Sequence, residues 1–176
     1  MLRTERLDLV PANLEHLEAE LGQPGAIGIL LGAKVPEGWP PGEYDRGALE
    51  FFRSKLLAGG SAAEGWYSWY GITRNAQGGR DTLVAGAGYF GPPKDGLVEV
   101  GYSVVPSACG QGYASEMVLA LVARAFEHPA VESVIARTAE SNGASMKVLL
   151  RCGFGRDPAD AEPGMALFRK RRVPGS

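Results

Sequence analysis

A short glycine-containing turn past the middle of the chain has the composition of an anion-binding site. Gly110 and Gly112 lie between a strand-like apolar run, Val98–Val105, and a helix-like run, Ala114–Phe126. Glycine permits positive φ and close approach of the backbone to a ligand. The first turn of a helix leaves its N–H groups without intrahelical acceptors, and the helix dipole favours negative charge there. The turn therefore predicts a site for a phosphate or pyrophosphate group.

Two common nucleotide-binding motifs do not fit this turn. A Walker loop contains Gly-Lys-Ser/Thr, and no lysine lies between Pro106 and Glu116. The dinucleotide fingerprint needs a third glycine where Ser115 stands, early in a parallel βαβ unit with an acidic residue about 20 positions later. Strand, turn and helix alone leave open which phosphate is bound.

Glu99 is the candidate general base. It lies in a predicted strand among Val98, Val100 and Tyr102. Burial among apolar neighbours raises the pKa of a carboxyl group and suits it to accept a proton near neutral pH. Because strand residues alternate between two faces, a solvent-facing Glu99 is the alternative.

Aromatic residues form a second group that could bind a substrate. Trp66, Tyr67, Trp69 and Tyr70 lie in one predicted strand, and aromatic rings bind both cations and apolar groups. Alternation sends one pair to each face, so at least half of the four pack within the sheet. We take Trp69 as the candidate for substrate contact. Trp39, on a loop rich in proline, is a candidate lid over the acceptor.

Length and composition fit one globular domain spanning residues 1–176. Hydrophobic residues make up 45% and charged residues 22%, and the net charge of −2 favours neither nucleic acid nor an anionic membrane as a partner. The two cysteines, Cys109 and Cys152, and the two histidines have no metal-ligand spacing. We therefore expect no metal site and a cytoplasmic location. We expect no signal peptide, because charges interrupt the first six residues, and no transmembrane segment, because the longest apolar run is too short to cross a bilayer.

Hydrophobic periodicity predicts a mixed α/β fold. Three strands joined by short turns should form an antiparallel meander, and the strand after the crossover helix should run parallel to its predecessor. The predicted strands are Arg6–Val10, Gly65–Thr73, Leu83–Phe90, Leu97–Val105, Val131–Thr138 and Met165–Arg171. The predicted helices begin after Asn13 and Asp45 and cover Ala114–Phe126 and Asn142–Cys152, with a short helix or turn around Ile27–Leu31.

Within this predicted order of strands and helices, two motifs resemble those of the GNAT N-acetyltransferase family. The run Cys109–Ala114 resembles the family's acyl-CoA pyrophosphate loop, Arg/Gln-x-x-Gly-x-Gly/Ala, with cysteine at the first position. The run Asn142–Phe154 resembles the family segment Asn-x-x-Ser-x-x-Val-Leu-x-x-x-Gly-Phe. Thr4–Leu7 and the pair Gly101-Tyr102 resemble the subgroup typified by ribosomal-protein N-acetyltransferases. The predicted order of helices and strands is also similar to that of the family.

The resemblance implies a GNAT fold, a mixed sheet of about six to seven strands flanked by about four helices. The sheet would be splayed between Leu97–Val105 and Val131–Thr138, with the pantetheine arm of acetyl-CoA in the gap, paired as an added strand would be. For Asn142 and Ser145, a plain helix cap is the alternative. The implied cofactor-binding residues are Val104, Val105, Cys109, Gly110, Gln111, Gly112, Tyr113, Ala114, Ser115, Asn142 and Ser145.

The implied reaction is direct transfer of an acetyl group to a primary amine, of a peptide N-terminus or a small molecule. Glu99 would accept the amine proton, and a main-chain N–H near Val104 would stabilise the oxyanion. The tyrosine that many relatives use to protonate the thiolate is replaced by Leu149. Cys109 and Leu149 favour the alternative, an acyl-CoA-binding or regulatory module with little turnover. Monomer and homodimer both remain open.

Overall fold

One mixed sheet of eight strands runs through the part of the chain that the computed structural model describes, residues 1–23, 25–42, 44–158 and 162–173. The strands are Leu2–Arg3 (β1), Leu7–Pro11 (β2), Ser68–Arg74 (β3), Arg80–Tyr89 (β4), Leu97–Val104 (β5), Ser133–Ala139 (β6), Gly155–Arg156 (β7) and Met165–Arg171 (β8). Their order across the sheet is β1-β2-β3-β4-β5-β6-β8-β7. Only β5 and β6 are parallel neighbours, which confirms the predicted meander and crossover.

Five α-helices of the described residues cover the two faces of the sheet. They are Leu14–Gly22 (α1), Ala26–Leu31 (α2), Arg46–Gly59 (α3), Tyr113–Glu127 (α4) and Gly143–Arg151 (α5). The side chains of Asn13 and Asp45 each accept a backbone hydrogen bond of 2.9 Å and cap α1 and α3 as predicted. No helix within the described ranges combines the length and the apolar character needed to cross a membrane.

Alternation along β3 divides the core between the two faces. Trp69 packs with the buried residues of α4 and α5, whereas Tyr70 and Ile72 pack with those of α1, α2 and α3. Gly71 allows α4 to approach closely, because a Cβ at this position would lie 3.0 Å from Met117 Sδ. The sheet therefore separates a surface covered by α4 and α5 from one covered by the first three helices.

Strands β5 and β6 separate after three paired positions. The pairs are Leu97 with Ser133, Val98 with Val134, and Glu99 with Ile135. Beyond them, β5 stays paired with β4 as far as Val104, and β6 stays paired with β8 as far as Ala139. Each strand is thus held by its other neighbour while the edge that the two could share is open, which confirms the predicted splay.

The sequence predicted fewer elements than the described residues contain. Strands β1 and β7 have two residues each, too few for a periodic pattern to reveal. The segment Ala26–Leu31 is a helix, where the sequence left helix and turn open. Strand β3 begins at Ser68 rather than Gly65, because a 3₁₀ helix, Gly60–Ala63, continues into a turn in which Trp66 N–H donates to the Ala63 carbonyl (3.1 Å).

Candidate active site

The predicted anion-binding turn lies at the N-terminus of α4, where β5 ends. Gly110 and Gly112 have φ values of 76° and 86°, in the left-handed region that disfavours other residues. The first bond of the helix runs from Glu116 N–H to the Gly112 carbonyl (3.1 Å). In the described part of the chain, the N–H groups of residues 112–115 have no protein acceptor. These groups are therefore available to an anion.

Arg6 holds this turn against the beginning of the chain. Its guanidinium donates to the Gln111 carbonyl (2.8 Å), pairs with Glu116 (2.8 Å) and lies over the Tyr113 ring, 4.6 Å from the centroid. Thr4 Oγ1 also donates to the Glu116 carboxylate (2.6 Å). Sequence reasoning missed this contact, because the partners lie 110 positions apart. The Thr4–Leu7 motif was the only signal for it.

Main-chain groups of β5 face the gap that opens beside β6. Phe90 N–H donates to the Glu99 carbonyl (3.0 Å), and Val105 N–H donates to the Val84 carbonyl (2.9 Å). Because main-chain groups alternate between the two edges of a strand, Val104 directs its N–H and C=O into the gap. An extended ligand could pair with this edge as an added strand does.

Val105 and Cys109, both predicted to bind the cofactor, have their own contacts within the protein. The N–H of Val105 donates to the Val84 carbonyl and its own carbonyl accepts from the Ala108 N–H (2.9 Å), so both of its main-chain groups are bonded within the protein. The exposed Cys109 turns back toward β5, with its Sγ 3.7 Å from the Val104 carbonyl oxygen and 3.5 Å from that of Val105. Cys109 therefore presents no cation to the turn.

A hydroxyl pair connects the two sides of the gap. Tyr102 on β5 places its hydroxyl 2.8 Å from Ser145 Oγ, in the first turn of α5. Asn142 Oδ1 accepts a hydrogen bond from the Ser145 N–H (3.0 Å) and caps that helix. Burial raises the pKa of Tyr102 to about 12, so the phenol keeps its proton at neutral pH. Leu149 is fully buried in the core and offers no proton.

Glu99 lies where β5 and β6 begin to separate, and its carboxylate accepts a hydrogen bond from Arg137 of β6. Its side chain is 23% exposed. The expectation of purely apolar surroundings for Glu99 is wrong, because the neighbouring Val98 and Val100 belong to the core on the α4 face. Strand alternation places Glu99 on the other face, with Gly101.

A cavity of about 170 Å³ lies on this same face, between α3 and strands β4 and β5. The cavity begins at Gly101 and Ser103, the positions that follow Glu99 on its face of β5. None of the described residues that line it carries a charge. They are Tyr44, Ala48, Phe52, Gly86, Ala87, Gly88, Tyr89, Phe90, Gly101, Tyr102 and Ser103.

The two predicted substrate-contact tryptophans do not line this cavity. Trp69 is 2% exposed, packs on the α4 face and donates to the Gly65 carbonyl (3.1 Å), so it belongs to the core. Trp39 is half-buried, and its Nε1 donates to Glu20 (2.6 Å). The Trp39 ring lies 5.6 Å from that of Tyr44, a residue of the cavity wall. Trp39 therefore supports the wall from behind.

A family model described as an acetyltransferase (GNAT) domain matches residues 6–155. The chain belongs to the GNAT acetyltransferase family. Members of this family take the acetyl group from acetyl-CoA, whose pyrophosphate and pantetheine suit an anion-binding turn beside an open strand edge. The residues of this GNAT chain that form the turn and the edge fit that donor.

Comparisons with individual proteins agree with this assignment. The uncharacterized N-acetyltransferase YjdG of Bacillus subtilis (strain 168) is 27% identical over 163 residues, 92% of this chain and 94% of that protein. An acetyltransferase structure from Agrobacterium tumefaciens strain C58 has a TM-score of 0.63 at 22% identity, over 97% of this chain and 94% of that one. RimL, a ribosomal L7/L12 α-N-protein acetyltransferase solved with coenzyme A, has a TM-score of 0.62 at 13% identity, over 96% of this chain and 95% of that one. At such identities the structures show the shared fold alone.

Glu116→Gln should destabilise this GNAT protein at neutral pH. Partial burial raises the pKa of Glu116, but hydrogen bonds from Thr4 and Arg6 outweigh that effect and hold the pKa below its usual value of 4.5. The carboxylate therefore stabilises the fold above pH 4.5, and this stabilisation is lost as pH falls through the native pKa. Because Arg6 stays partly exposed, we expect a loss of about 1–2 kcal/mol at pH 7.

Urea unfolding at pH 7 and at successively lower pH measures this loss. Glu5→Gln serves as the matched control, since Glu5 is exposed. An unfolding free energy for Glu116→Gln equal to that of wild type at pH 7 contradicts the assigned role.

Proposed function

We propose that this protein is an acetyl-CoA-dependent N-acetyltransferase that moves the acetyl group directly to a primary amine. One observation carries the proposal. The open edge of β5 lies between an anion-binding turn at the start of α4 and a cavity on the opposite face of the sheet. A donor bound at the turn and an acceptor bound in the cavity would meet at the gap, as direct transfer in a ternary complex requires.

The turn suits the pyrophosphate of acetyl-CoA. The N–H groups of Gly112 and Ala114 lack protein acceptors within the described residues, and a Cβ at Gly110 would meet no atom within 4 Å. The backbone there is therefore open to close approach by a phosphate. Ser115 Oγ is buried and also lacks a partner among the described residues, which is rare for a buried hydroxyl and is explained if a ligand binds at this turn.

Four residues of this chain would then bind acetyl-CoA or act on the thioester that it supplies. Val104 would align the donor through its main-chain groups, and its N–H would donate to the oxygen on which negative charge develops. Asn142 and Ser145 would hydrogen-bond the pantetheine from the α5 side of the gap. Tyr102 would keep its proton and donate a hydrogen bond to the leaving sulfur, the role that Leu149 cannot fill.

Glu99 is the proposed general base. Its side chain lies on the same face of β5 as the cavity, two positions before the lining residue Gly101. An incoming amine would pass this point. Arg137 fixes the direction of its carboxylate. An amine at neutral pH is largely protonated, so it must lose one proton to free its lone pair before attack and a second as the C–N bond forms and the C–S bond breaks.

An acyl-CoA-binding module with little turnover is the second candidate. The ion pair between Glu99 and Arg137 favours it, because the carboxylate already has a partner within the protein. Leu149 favours it too, because an aliphatic side chain at this position cannot protonate the leaving thiolate.

Thiol release from acetyl-CoA, measured with a panel of amines, separates the two candidates. We expect release that depends on the amine, with acetylated amine detected by mass spectrometry. Calorimetric binding of acetyl-CoA without amine-dependent thiol release for any member of the panel would support the binding module and overturn the enzyme.

Glu99→Gln should lower the rate of transfer by roughly 10²-fold while leaving acetyl-CoA affinity unchanged. Glutamine keeps the shape and a hydrogen-bond acceptor but removes basicity. The acidic limb of the pH–rate profile should disappear with it. Pre-steady-state rates across pH measure both effects.

Arg137→Gln is the matched variant, because it breaks the same ion pair and keeps the carboxylate. If Glu99 is the base, Arg137→Gln retains an acidic limb and stays well above the activity of Glu99→Gln. Equal losses in the two variants, with equal pH profiles, would reduce Glu99 to a structural partner of Arg137.

A further inference from the structure

We propose that the acceptor is a primary monoamine carried on a compact apolar body, and that polyamines and aminoglycosides are poor substrates. This inference rests on the acetyltransferase function proposed above. It concerns the cavity beside β5, on the face from which an amine would approach a thioester held in the gap. The floor, the walls and the charge of this cavity select the same class of molecule.

The floor of the cavity is formed by small residues on neighbouring strands. Gly86 and Gly88 of β4 pair with Ser103 and Gly101 of β5. Side chains of directly paired residues lie on the same face of a sheet, and the missing side chains at Gly86 and Gly101 let the Tyr44 and Phe90 rings lie against the strands at the margins of the cavity. A Cβ at Gly101 would lie 3.1 Å from the Phe90 ring and would begin to fill it.

The walls are aromatic and aliphatic. Tyr44 and Phe52 lie with their ring centroids 5.9 Å apart, and Ala48 and Phe90 complete the lining. Tyr44 has its hydroxyl bonded to Ser68, and burial raises its pKa, so it stays neutral. Apolar cavities of roughly 150 Å³ hold a benzene molecule. The volume of about 170 Å³ therefore suits one aromatic ring or a branched alkyl group of similar size.

The charge of the cavity excludes polycations. None of the described residues that line it is ionised, and Glu99 and Arg137, which lie on the other side of Phe90, pair with each other. A polyamine or an aminoglycoside would bring further ammonium groups into this space with no carboxylate to replace their water. A monoamine brings one ammonium group, and that group loses its charge when it reacts.

Two kinds of molecule share this chemistry, a free arylalkylamine and a peptide with an apolar first residue. Transfer rates with saturating acetyl-CoA should therefore be measured for 2-phenylethylamine against ethylamine, which has the same amino group without the ring. A peptide beginning with Phe should be compared with the same peptide beginning with Asp. Spermidine and kanamycin complete the panel.

We expect kcat/KM for 2-phenylethylamine, for the Phe-initial peptide, or for both, to exceed that of the matched control by at least about 30-fold. Spermidine and kanamycin should fall at or below ethylamine. A higher kcat/KM for 2-phenylethylamine than for the Phe-initial peptide indicates a free amine as the acceptor, and the reverse indicates a peptide N-terminus.

Ala48→Phe fills the cavity from α3 and should lower kcat/KM for the apolar substrate by about 10-fold or more. Its effect on the KM of acetyl-CoA, which would bind in the gap and at the turn rather than in the cavity, should be small. Ala58→Phe is the matched control, because Ala58 is an exposed residue of the same helix. Phe52→Glu is a second variant, and its added carboxylate should raise the spermidine rate relative to that of 2-phenylethylamine.

The outcomes separate this inference from the function on which it rests. Thiol release with spermidine or kanamycin that exceeds release with the apolar amines overturns the inference and leaves the acetyltransferase. Equal rates for Ala48→Phe and Ala58→Phe on 2-phenylethylamine also overturn it, because the ring would then bind elsewhere. No thiol release with any amine overturns both proposals.

Discussion

The separation of β5 from β6 is the constraint on which the rest of this structure depends. A buried strand edge with unpaired main-chain groups is costly, and proteins normally cover or pair such an edge. Here β4 holds β5 and β8 holds β6, so each strand keeps its place although their shared edge is open after Glu99 and Ile135. The open edge is therefore rigid before any ligand arrives, which lowers the entropic cost of binding an extended arm.

Polar contacts between distant parts of the chain hold the surroundings of this edge. Arg6 ties the anion-binding turn to the start of the chain, and Arg137 joins the two strands where they diverge. On the face that α1, α2 and α3 cover, Glu20 accepts hydrogen bonds from Trp39 (2.6 Å) and Tyr70 (2.8 Å), which fixes the aromatic layer behind the cavity. Burial raises the pKa of Glu20, so this position differs from an ordinary surface carboxylate.

Local sequence predicted the features that depend on local conformation. The positive φ of Gly110 and Gly112, the caps of α1, α3 and α5 and the parallel crossover follow from neighbouring residues. The faces of β3 and the partner of Glu99 depend on packing and register instead. A pattern of four aromatic residues cannot tell that Trp69 lies under α4 while Tyr70 lies under α1. Nor does periodicity reveal that Arg137 forms an ion pair with Glu99.

Amide hydrogen exchange with and without acetyl-CoA tests most directly whether the open edge and the turn bind the donor. We predict that saturating acetyl-CoA slows exchange in the segments 101–104 and 112–115 by about 10-fold or more, since amides without protein acceptors gain a partner. Exchange in α1 should change little. Acetyl-CoA binding, verified by calorimetry, that leaves both segments unprotected would contradict this account of the site.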